Sequence, residues 1–186
     1  METTLELNGY RIEIEPDYDP VNPREWGNFD HMVCSHGRYS LGDEQLENHG
    51  ESFEDDLKQH LADKGLTLND VLLLPLYLYD HSGICMNTIG YSCNWDSGQV
   101  GFIYVTKEDV RKEYNIKRIT QTIKEKALKL LKGEVETYSK YLEGDVWYVS
   151  IYEGEELIDC CGGIYGFDYA KEDAISKVNG MTRGVA

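Results

Sequence analysis

The chain has 186 residues, 41% of them hydrophobic, with 14 tyrosines and a formal net charge of −16. That length suits one domain and can bury roughly 70% of the unfolded surface, and the apolar content argues against a disordered tail. The five cysteines are odd in number and form no C-x-x-C pair, and the amino terminus METTLELNGY has neither a basic nor an apolar leader region. The expectation is therefore a reduced, cytoplasmic protein without a disulfide framework, a signal peptide or a membrane span.

Residues 5–15 read L-E-L-N-G-Y-R-I-E-I-E, with apolar and polar residues alternating on both sides of Asn8-Gly9. Asn-Gly between alternating runs predicts a hairpin, with strands at 3–7 and 10–15, because both turn residues must take positive φ. Residues 16–31 carry three prolines and read as a long loop. A short strand is expected at 31–35 and irregular chain over 37–50. Ser52 is placed to cap a helix whose first turn holds Glu54, Asp55 and Asp56, with Phe53, Leu57, His60 and Leu61 on one face and Gly65 as its stop. A second short helix is expected over 67–73.

Strands follow at 76–80, 83–88 and 99–105, rich in Tyr, Ile, Val and Phe. Thr106 to Asp109 resembles a capping box, opening a helix to about Tyr114. A long helix is predicted over 117–142, its apolar stripe formed by Ile119, Ile123, Ala127, Leu130 and Leu131. A second hairpin is expected at 146–152 and 156–165, with Gly162-Gly163 marking a bulge or close backbone approach, and a last helix at 168–178 capped by Asp168. This order lacks the regular alternation of a parallel sheet. It predicts one α+β domain over 1–186, with helices packed on a mainly antiparallel sheet.

Charge is unevenly placed. Residues 1–80 hold 18 acids against 5 bases, a net of −13, whereas residues 106–132 hold nine bases against four acids. Such a field draws basic protein surfaces toward the acidic half. The carboxylates expected to meet such a partner are Glu13, Glu15, Asp17, Asp19, Asp43, Glu44, Glu47, Glu51, Glu54, Asp55 and Asp56. They would occupy a basic groove as DNA phosphates do. Arg111, Lys112, Lys117 and Arg118, the densest part of the basic stretch, are weaker candidates for contact with nucleic acid. A solvated helix face is the plainer account of them.

Two polar segments could carry other chemistry. Asp30, His31, His36, Asp80, His81 and Asp96 are residue types that zinc, manganese or iron accepts, although their spacing matches no standard site. They define an alternative reading, a metal-dependent hydrolase or a nucleotide-binding protein. Cys34 and His36 lie two apart, on one face of an extended segment, which gives a weaker nucleophile reading. No phosphate-binding glycine motif occurs.

The strings M-V-C-S-H-G-R-Y-S-L-G-D (32–43), L-P-L-Y-L-Y-D-H-S-G (74–83) and W-D-S-G-Q-V-G-F-I-Y-V (95–105), then K-E-x-x-R-K-E-Y, resemble a family of small acidic proteins encoded by bacteriophages and other mobile elements. The resemblance covers about 18–152. It implies an anti-defence factor, of the anti-CRISPR or anti-restriction kind, that blocks a host nuclease without a cofactor of its own. The single-protein type II CRISPR effector is the specific candidate. The resemblance carries no catalytic residues.

Overall fold

The structure is a computed structural model that describes residues 2–47 and 52–183. Nine strands and four helices alternate irregularly: β1 (Thr3–Leu7), β2 (Tyr10–Pro16), β3 (His31–Cys34), β4 (Glu44–Gln45), α1 (Phe53–Asp63), β5 (Val71–Asp80), β6 (Ile84–Asn87), β7 (Ser97–Thr106), α2 (Lys107–Glu113), α3 (Gln121–Glu143), β8 (Val146–Glu153), β9 (Glu156–Tyr165) and α4 (Phe167–Arg183). The α+β class and the antiparallel bias are as expected. The strands, however, divide between two sheets, of order β1-β2-β8-β9 and β4-β3-β7-β5-β6. Local patterning could not reveal this, because the amino-terminal hairpin finds its partner strand near the other end of the chain. Among the described residues no helix is long and apolar enough to cross a membrane.

The chain forms two compact units, Met1–Asn22 with Lys140–Ala186, and Pro23–Ser139. In the first, β1 and β2 meet through Asn8 (φ 52°) and Gly9 (φ 86°), the positive pair that a two-residue hairpin turn needs. β2 then pairs with β8, setting Ile12 opposite Ile151 and Ile14 opposite Val149. Ala170, Ala174 and Val178 of α4 recur at helical spacing and close the core over these residues and Ile164. Gly162-Gly163 does form a bulge. The register between β8 and β9 shifts there, and Asp17 Oδ2 accepts the Gly163 N–H at 2.7 Å. The cap of α4 differs from the expected Asp168. Asp145 accepts the Phe167 N–H at 3.1 Å and the Trp147 indole N–H at 2.6 Å, so a residue from the connection between α3 and β8 serves the helix end.

In the second unit β7 is the central strand, flanked by β3 and β5. Residues 100–105 are buried throughout, as a strand covered on both faces must be. Phe102 and Tyr104 face Leu57 and Leu61 of α1, with Val33, Leu46 and Val71 completing that core. Helix α3 buries Ala127, Leu131, Val135 and Tyr138 and is tied to the strands by two hydrogen bonds: the Tyr138 hydroxyl accepts the Gly42 N–H at 3.0 Å, and the Ser139 hydroxyl accepts the Met86 N–H at 2.9 Å. Gly101 is required where β7 meets β3, since a Cβ there would collide with the Val33 carbonyl oxygen. The helix expected over 67–73 is only a 3₁₀ turn, Leu68–Asp70, closed by a Thr67–Asp70 capping box. The Val71-Leu72-Leu73-Leu74 run then enters β5, where its burial on the sheet outweighs helix propensity.

Candidate functional site

Three of the segments singled out above meet at one end of the second sheet. β3 leads into a turn carrying His36, Arg38 and Tyr39; β5 ends at Asp80; the β6–β7 connection presents Trp95 and Asp96. The Arg38 guanidinium donates to Asp80 Oδ2, and the Tyr39 hydroxyl donates to Asp80 Oδ1 at 3.2 Å. His36 stacks on Tyr39 with ring centroids 5.0 Å apart, and its Nδ1 accepts the Arg38 and Tyr39 N–H groups, each at 3.3 Å. Asp80 N–H donates to the Asp96 carbonyl at 2.7 Å, pinning the connection onto β5. The result is a pocket of about 380 Å³ lined by His36, Arg38, Asp80, Trp95, Asp96 and Gln99. Trp95 is 97% exposed beside it. A large apolar side chain so exposed marks a contact surface when neighbouring groups can frame it.

A second depression lies on the α1 side of the same sheet. It is a groove of about 710 Å³ between the amino-terminal turn of α1 and the sheet, walled by Phe53, Leu57, Leu68, Leu73, Pro75 and Phe102 and bordered by Glu54. Gln99 lines both the groove and the Trp95 pocket, although Leu73 and Pro75 of the groove and Leu78 and Asp80 of the pocket stand on opposite faces of β5. The α1 turn is closed by its cap: Ser52 Oγ accepts the Asp55 N–H at 3.2 Å.

The predicted acidic residues are dispersed in role. Glu44 pairs with Lys64 at 2.9 Å, and Glu54 and Asp55 pair with Lys58 at 3.0 and 2.9 Å, all at exposed positions on or beside α1. Hydrogen bonds from Lys58 and Ser52 hold the Asp55 carboxyl below its usual range. Glu47 lies in the same unit as these. Asp56 is buried, so it is withdrawn from any acidic surface. Glu13, Glu15, Asp17 and Asp19 belong to the other unit, where Asp17 serves the β9 bulge. Glu51 lies outside the described residues.

Asp43 has a structural task. Arg24, with a side chain only 2% exposed, donates to both Asp43 oxygens at 2.8 Å, to Asp30 at 2.9 Å and to Glu134 at 3.5 Å. Three carboxylates thus share one guanidinium. Burial pushes the Asp30 and Glu134 carboxyls up, and Asp30 Oδ2 has no hydrogen-bond partner among the described residues. Asp43 also accepts the Met32 N–H at 2.7 Å and so fixes the entry to β4 against β3.

The six residues of the metal reading fall in different places. Asp30 is in the Arg24 network, and His31 packs on Tyr104 with centroids 5.2 Å apart. His36 and Asp80 border the Trp95 pocket, and His81 Nδ1 lies 3.6 Å from Asp96 Oδ2. Among the described residues no group of three His, Cys, Asp or Glu side chains is arranged to hold a metal ion. Cys34 is buried and its thiol is pushed up to about 12 by desolvation, an environment that keeps it an un-ionised core residue. Of the basic set, Lys112 pairs with Glu108 and Asp109, whereas Arg111, Lys117 and Arg118 line a cleft with Lys107 and Lys124, two residues that the local charge density did not single out.

Compared with known proteins, the chain matches no family model, no curated protein and no solved structure.

Proposed function

We propose that this protein is a non-enzymatic anti-defence factor that docks on a basic protein surface through the Trp95 pocket and the apolar groove of the Pro23–Ser139 unit. The single observation that carries the reading is the almost complete exposure of Trp95 at the mouth of a polar pocket, with an apolar groove in the same unit. Together they offer what a protein contact needs: an aromatic anchor in Trp95, an apolar floor in Phe53, Leu57 and Phe102, and a rim carboxylate in Glu54, with exposed Asp55 next to it on α1. Exposed ion pairs such as Glu54–Lys58 are weak, so those carboxylates remain free to re-pair with a partner's cations. The partner's chemistry is that of a host nucleic-acid enzyme, whose groove is cationic and has apolar residues within it. A type II CRISPR effector nuclease, to which the sequence resemblance points, is the first to be tried.

Binding of the whole chain to the purified effector nuclease, by calorimetry at about 0.1 M and about 0.5 M salt, tests this. Affinity should fall at the higher salt. Glu54→Lys with Asp55→Lys should weaken it by roughly tenfold or more, since close charge pairs across an interface each contribute over 1 kcal/mol. Unchanged affinity in the double variant would remove the charge mechanism, and unchanged affinity in Trp95→Ala would remove the surface itself.

A further inference from the structure

A second site stands apart from the acidic face in its chemistry. Lys107, Arg111, Lys117, Arg118 and Lys124 converge on one cleft of about 550 Å³, at the point where α2, the 115–120 connection and the start of α3 come together. Its floor is apolar, formed by Leu68, Leu72 and Ile119. Among the described residues no carboxylate lies within 4.0 Å of the charged ends of Arg111, Lys117, Arg118 or Lys124, and Lys107 donates to a neutral acceptor, the Asn69 carbonyl. The acid that feels Lys107 and Arg111 is Asp70, which is engaged by the Thr67 N–H at 2.9 Å and the Thr67 hydroxyl at 2.6 Å.

Asp70 thus offsets part of the charge of Lys107 and Arg111, and the cleft keeps a cationic excess in a strongly acidic protein. Helices α1, α2 and α4 each place acids in the first turn, where the helix dipole favours them; α3 places none and is met there by cations instead. Five like charges around one concavity repel each other, and an anion seated among them relieves that repulsion. A nucleic-acid track would string its cations along a path. Here they close on a single hollow, and Lys126, Lys129 and Lys132 farther along α3 do not line it. The size falls within the range of small-ligand pockets, and the apolar floor suits a flat, weakly polar group.

We infer that this cleft binds a nucleotide bearing two or more phosphates, the phosphates held by Arg111, Lys117, Arg118 and Lys124 and the base laid on Leu68, Leu72 and Ile119. Calorimetry of the full chain with inorganic tripolyphosphate, with ATP and with a single-stranded DNA of about ten nucleotides tests the inference. The expected result is that ATP binds more tightly than tripolyphosphate. Arg111→Gln with Arg118→Gln should weaken both by roughly ten- to a hundredfold, as loss of charge-assisted contacts does. Lys129→Gln with Lys132→Gln, on the same helix outside the cleft, should leave both unchanged. All four positions are exposed, so neither variant should lose unliganded stability, and the arginine variant should if anything gain from the relief of repulsion. Three results would overturn the inference: no binding of ATP or tripolyphosphate, ATP binding that survives the arginine changes, or equal affinity for the two. Oligonucleotide binding tighter than ATP, and lost in the lysine variant, would overturn it in favour of a nucleic-acid surface.

Discussion

Arg24 and Asp43 meet through two parallel hydrogen bonds, Nε and Nη2 of the guanidinium each lying 2.8 Å from a different oxygen of the carboxylate. This forked pairing links the 23–25 turn to the chain just before β4, and the same guanidinium reaches Asp30 and Glu134. Removing a buried partner strands the others. Arg24→Met should therefore destabilise the protein by about 3 kcal/mol or more, read from urea unfolding. A loss below about 1 kcal/mol would mean that the network is not sealed from water.

The same network sets a pH dependence of unusual sign. Burial holds the Glu134 carboxyl above its unfolded value, as it does Asp30. A carboxyl raised on folding binds more protons in the native state, so its contribution is most favourable below the unfolded value and is lost as pH rises through the folded one. Glu134→Gln keeps the shape and removes the charge. The variant should melt above the parent at pH about 7, and the difference should shrink as pH falls to about 4. A difference that is constant across that range would show that Glu134 is already satisfied as an anion.

Gly101 lies where β7 comes against β3, and a Cβ there would overlap the Val33 carbonyl oxygen and crowd Cys34 Cα, which would lie 2.9 Å away. Backbone, unlike the end of a flexible side chain, cannot step aside cheaply. Gly101→Ala should cost about 3 kcal/mol. Gly133, with open space around its missing side chain and a helical position, should tolerate alanine and gain about 0.5–1 kcal/mol. Thermal unfolding of the two variants side by side checks both signs.

Trp95, projecting into solvent, should contribute little to folding. Trp95→Ala should leave the melting temperature within about 2 °C of the parent while abolishing measurable docking to the partner nuclease. A large fall in melting temperature would place the indole in the fold's own packing.

What could be read in the sequence was whatever is decided within a few residues. The Asn8-Gly9 turn, the Ser52 and Thr106 caps and the Gly162-Gly163 bulge depend on local backbone chemistry, and all four stand as expected. Counting carboxylates could not distinguish Asp43, which is engaged by Arg24, and Asp56, which is buried, from Glu54 and Asp55, which stay out; that difference depends on Arg24 and on the face of α1 turned to the sheet. Cap and sheet competed at Thr67, where the apolar run after Asp70 won. The basic cleft draws Lys107 and Lys124 together across 17 positions of sequence. The Trp95 pocket joins β3, β5 and β7, and only the register of the sheet brings His36, Asp80 and Trp95 side by side.

The interrupted course of the first unit has a consequence for how the protein comes into being. Ribosomes deliver chain from the amino end, so the β1–β2 ribbon emerges with Ile12 and Ile14 facing nothing until Val149 and Ile151 have been made. The whole of the Pro23–Ser139 stretch, a compact unit with its own sheet, is translated in between, whereas the ribbon must wait with an open strand edge. Pulse-labelled hydrogen exchange during refolding should accordingly show β7 amides protected before those of β2. The short, glutamate-studded alternation of β1 and β2 is the kind of edge that can endure such a delay without sticking to its neighbours.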